Sequence, residues 1–131
     1  MIRPSPFLSR ALLADAIFSG VAAVALTLGA GALAPFLHLP EALLRETGLF
    51  LIAYTALVGW LASRSTVAKA VLLVIVGNAA WTLGSIALLF SGAVSPNLLG
   101  QVFIVAQAIA TGVFAELQYI GLRKSSETVT A

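Results

Sequence analysis

Cysteine is absent from this 131-residue chain, histidine occurs once, and charged residues make up only 9% of it. Each shortage removes a class of protein. Without cysteine there is no disulfide, no thiol nucleophile and no thiolate metal site, and no trace of a redox compartment. The one histidine, His38, has no second histidine or cysteine beside it, so no metal site is expected. A formal net charge of +2, spread over scattered basic residues, is too small for nucleic acid binding. No catalytic or cofactor motif is present, and no cofactor is expected.

What the chain has is apolar surface. Hydrophobic residues make up 60% of it, whereas soluble domains are about half apolar and about a quarter charged. A soluble core of this size could not absorb that surface, but a bilayer can. The expectation is a single all-α membrane domain, a bundle of four antiparallel up-down spans.

The spans follow from the apolar runs and their breaks. They are expected over about 11–34, 42–62, 69–90 and 98–122, with a flexible tail over 123–131. Met1 to Arg10 reads as a short basic lead with little helical tendency. Ala32-Leu33-Ala34 resembles a signal-peptidase site, but the length of the run, Asp15 inside it and Pro35 after it argue against cleavage. Pro35 and Pro40 bracket the first turn, since proline cannot continue a helix. The last run, Leu98 to Leu122, would be about 37 Å long, enough to span a hydrocarbon core of about 30 Å.

Orientation follows from the basic residues. Four spans put Arg3, Arg10, Arg64, Lys69, Arg123 and Lys124 on one side and Arg45 alone on the other. The positive-inside rule then makes both termini cytoplasmic, in the bacterial inner membrane. His38 falls on the outer side, away from the acids in the spans, so no Ser–His–acid set forms at one depth and an enzyme is not expected. A duplicated hairpin is also suggested. Asp15-Ala16-Ile17-Phe18-Ser19 aligns with Asn78-Ala79-Ala80-Trp81-Thr82, and Trp60–Arg64 with Tyr119–Arg123.

Two acids stand inside the apolar runs. Asp15 lies five residues after Arg10 and Glu116 seven before Arg123, both about 7–11 Å from the cytoplasmic boundary. An acid in the hydrocarbon core is expensive and should face the bundle interior or a wet cleft. One reading makes Asp15 and Glu116 a proton-binding pair, because adjacent carboxylates cannot both ionise. The other pairs each with Arg10, Arg64, Lys69 or Arg123, and the number of cations at nearly the right depth favours it.

A second polar set lies nearer the midplane: Tyr54, Asn78, Trp81, Thr82, Gln107 and Thr111. Asn78, Thr82 and Ser85 share one face of their helix. Gln107, Thr111 and Gln118 share another, nearly opposite Glu116. They read either as interhelical hydrogen bonds, worth about 0.6 kcal/mol each, or as the lining of a small pocket. Small residues recur at Asp15, Ser19, Ala23, Thr27 and Gly31, and a second stripe holds Gly48, Ile52, Thr55 and Gly59. Such stripes let helices approach closely, within a chain or in a homodimer.

With ALLADAIFSG near the start, the Asn78–Trp81 stretch and the ending AELQYIGLRK, the chain resembles small four-helix integral membrane proteins of bacterial genomes. That group brings no mechanism with it. Leu12-Leu13-Ala14-Asp15 is similar to the first-helix segment of small multidrug resistance transporters, in which an acid binds protons and cationic drugs. The chain departs from that family in having Asp for the usual Glu, a second acid at Glu116 and no glycine-rich kink around the tryptophan of its third helix. Nor does it have balanced loop charges. Two roles are expected: a non-enzymatic accessory or assembly subunit acting through helix–helix contacts, or a small proton-coupled transporter of a cationic or amphipathic molecule. The partners expected are the lipid bilayer and a second copy or another membrane protein.

Overall fold

In the computed structural model, which describes residues 2, 3, 5–62 and 68–127, the chain is all-helical apart from one two-residue pairing. Four helices are present: α1 (Pro6–Leu37), α2 (Glu41–Ala62), α3 (Ala68–Ser91) and α4 (Leu98–Lys124). All four are long and apolar enough to cross a membrane. Their outward faces carry large apolar side chains such as Leu28, Leu83 and Phe90, exposed by 82%, 68% and 82%. Such faces suit lipid as solvent.

Two boundaries differ from the sequence reading, both at prolines. α1 begins at Pro6, five residues before the expected span, because Ser5 caps it by accepting a hydrogen bond from the Leu8 amide at 3.1 Å. Proline suits the first helical position, where its missing N–H would have no partner anyway. Pro35 lies within α1 and does not end it. The helix stops at Leu37, where His38 turns left-handed (φ 55°, ψ 47°) and returns its amide to the Ala34 carbonyl. Pro35 has no N–H to return to the Gly31 carbonyl, and the helix carries on past it without that one bond.

The described part of the expected tail, 123–127, has regular structure. Arg123 and Lys124 complete α4, and Ser126-Glu127 pairs antiparallel with Ile2-Arg3. Ser125 accepts from the Ser5 amide at 2.9 Å and donates to the Gly121 carbonyl at 2.9 Å. The two ends of the described chain are thus fastened side by side.

Small residues set the close seams. A Cβ on Gly48 would strike Thr27 and the Leu26 backbone of α1, Gly20 meets Thr55, and Gly59 meets Ala16. Both small-residue stripes are therefore used within the chain, with Ile52 turned outward at 51% exposure. α1 and α4 run antiparallel and touch at both ends. Gly121 abuts the Leu8 backbone, and Gly100 abuts the Leu37 carbonyl. At that second end Asn97 caps α4 and donates to the Phe36 carbonyl at 2.8 Å, tying the turn before α4 to the end of α1.

The resulting order around the bundle is α2, α1, α4, α3, with no comparably close packing between α2 and α3. Two apolar clusters close the ends. Leu8, Leu12, Val58, Leu61, Val71 and Val74 meet near the chain ends, and Leu26, Leu37, Leu39, Leu44 and Ile104 at the opposite end, near the α1–α2 and α3–α4 turns. Between these clusters the gap between α2 and α3 is left open.

Candidate functional site

Asp15 is fully buried and is the point at which all four helices meet. Its Oδ1 accepts from Ser19 at 3.0 Å, one turn along α1. Its Oδ2 accepts from the Tyr54 hydroxyl of α2 at 2.8 Å, the Asn78 amide of α3 at 2.8 Å and the Gln118 amide of α4 at 2.7 Å. Asn78 also donates to the Gln118 carbonyl oxygen at 3.0 Å. Four donors and no cation surround the carboxyl group among the described residues.

The meeting point follows from depth. Asp15 lies nine residues after the start of α1, Asn78 ten after the start of α3, Tyr54 eight before the end of α2 and Gln118 six before the end of α4. At helical rise these fall about 9–15 Å from the same end of the bundle.

Above this layer α3 and α4 are joined by two more polar rungs. The Thr82 and Thr111 hydroxyls lie 2.7 Å apart, one donating to the other while the other donates to the Ala108 carbonyl within reach of both. Trp81 Nε1 donates to Gln107 Oε1 at 2.7 Å, and Gln107 Nε2 donates to Ser85 at 2.9 Å. These bonds zip α3 to α4 but reach neither α1 nor α2.

Between α2 and α3 lies a half-open cleft of about 850 Å³. Its walls are mostly apolar, among them Leu51, Leu73, Leu88 and Ile104, with Gln107 and Ser85 toward the α1–α2 and α3–α4 turns and Tyr54, Asn78 and Ser19 toward the chain ends. Three of the four donors to Asp15 thus line the cleft and stand between it and the carboxylate. Phe50 of α2 stacks on Trp81 of α3, with ring centres 5.9 Å apart and planes 4° from parallel, and so bridges the gap between the two helices.

The candidate residues are therefore regrouped. Asp15 and Glu116 do not form a pair. Asp15 joins the pocket set of Tyr54 and Asn78, while Trp81, Thr82, Gln107 and Thr111 make the rungs above it. Glu116 is exposed on the outer face of α4, since two residues along from Gln118 turn it about 200° away from Asp15. Among the described residues neither acid is paired with a cation, and Arg10 and Arg123 are exposed at the rim. Arg123 stacks on Tyr119, 5.9 Å from the ring centre, and Arg64 lies outside the described residues. Ser19 and Gln118 were missing from the candidate set. Their signals were the i, i+4 spacing from Asp15 and the shared face with Gln107 and Thr111. Among the described residues no group of acids or histidine fits a metal. No family model matches the chain, and no curated protein or solved structure is significantly similar to it.

Proposed function

We propose that this is a non-enzymatic multi-pass protein of the bacterial cytoplasmic membrane, with both termini inside, that takes an amphipathic cationic small molecule into the cleft between α2 and α3. One observation carries the reading: a buried carboxylate with no cation, separated from the cleft only by the side chains that donate to it. The apolar body of a ligand would lie along Leu51, Leu73 and Leu88. Its positive end would take the place of Tyr54 or Asn78 at Asp15, exchanging a hydrogen bond for a direct ion pair. A proton would compete for the same oxygen, which is the coupling that a proton-driven transporter requires. The inward orientation rests on the basic residues gathered at the end where the chain termini lie together.

The test is binding and uptake of a fluorescent quaternary ammonium dye by the protein in liposomes. Asp15→Asn should weaken binding at least tenfold and abolish proton-driven uptake, whereas Tyr54→Phe, which removes a group the ligand displaces, should leave binding as tight or tighter. If the dye binds Asp15→Asn as well as the unaltered chain, or binds neither, and the substitution only lowers thermal stability, the carboxylate is a structural pin. The accessory-subunit role is then favoured by the same parted edge, because a partner's helix would fit between α2 and α3.

A further inference from the structure

Charged groups of the described chain mostly have company. Glu41 pairs with Arg45 at 2.7 Å, Lys124 lies 4.6 Å from the Phe7 ring centre and Arg123 stacks on Tyr119. Glu116 has no hydrogen bond or ion pair with any described residue. It is exposed on the outer face of α4, between Val113 and Ile120, themselves 46% and 44% exposed. Eight residues from the end of α4, it sits about 12 Å inside the helix terminus. A carboxylate facing lipid there is strongly disfavoured unless a cation meets it.

The Leu8–Gly121 contact sets the register between α1 and α4. Arg10 lies two residues deeper than Leu8 and Glu116 five deeper than Gly121. Their levels therefore differ by about 4–5 Å, within the reach of an arginine side chain. Lys69 is nine residues shallower than Asn78, about 16 Å from the level of Glu116 and out of reach. Arg10 is exposed on α1 and forms no ion pair among the described residues. Within one chain the two cannot meet, because Glu116 points away from α1.

We infer that the outer face of α1 and α4 is a two-fold interface between two copies of this chain, in which Arg10 of each copy meets Glu116 of the other. A two-fold axis along the membrane normal keeps every residue at its own depth. It also sets α1 of one copy against α4 of the other, so both ion pairs form together. Lipid around the pair lowers the dielectric and strengthens the attraction. The interface lies on the far side of α1 and α4 from the cleft and does not depend on what the cleft binds.

Because the chain has no cysteine, one introduced at the exposed outer-turn residue Ala93 gives a single labelling site. Energy transfer between donor- and acceptor-labelled copies in liposomes, at varied protein-to-lipid ratio, reads the dissociation constant. We expect a dimer that Glu116→Lys or Arg10→Glu alone weakens about tenfold or more, and that the double exchange restores. Glu116→Gln, which keeps shape and helicity, should weaken it likewise. A monomer at every ratio, an unaffected Glu116→Gln variant, or a well-folded double exchange that stays dissociated would each overturn the inference.

Discussion

The bundle has two seams that differ in kind. Between α1 and α4, glycine at both ends brings the backbones together, and Gln118 reaches the Asp15 carboxylate across the join. Between α2 and α3 the helices meet at the chain-end cluster, where Val58 and Leu61 pack with Val71 and Val74, and beyond it one aromatic stack and the two donors that converge on Asp15 bridge them. Small residues and a shared acceptor close the first seam, whereas the second stays open although Gly77, Ala80 and Gly84 of α3 line it. Small side chains alone thus do not close a seam.

Substitution can break either seam. Asp15→Leu should have the largest effect, destabilising the protein by about 3–5 kcal/mol, because the buried donors of Tyr54, Asn78 and Gln118 lose their acceptor together. Reversible unfolding in mixed micelles would measure it. Gly121→Leu should follow at about 1–3 kcal/mol, since the side chain must drive Leu8 and α1 outward. Phe50→Ala addresses the open seam. It should remove about 0.5–1.5 kcal/mol of stacking with Trp81 and speed dye entry to the cleft, measured by stopped-flow fluorescence. The smallest change is expected at the edge of both seams. His38→Gly should leave the protein unchanged or stabilise it by up to about 1 kcal/mol, because His38 holds a left-handed cap that glycine adopts freely.

Hydrophobic runs needed no tertiary information to be read, so the number and approximate extent of the helices were legible in the sequence. Pro35 misled because it was treated as a stop, and the lead before Ala11 was denied helix although Pro6 suits a first helical position. Asp15 and Glu116 were grouped by charge, whereas helical facing separates them. Counting residues from one end of each span would have drawn Asp15, Tyr54, Asn78 and Gln118 into one layer. The parted edge of α2 and α3 was out of reach, since it concerns helices whose sequences carry no contact signal between them.

The fastening of Ile2-Arg3 to Ser126-Glu127 means that the described chain comes close to being a closed ring. A short peptide could join residue 2 to residue 127, and the ring could be reopened at the exposed turn near Ala93. Such a circular permutant would keep every helix in its place while moving the free ends to the opposite face of the membrane.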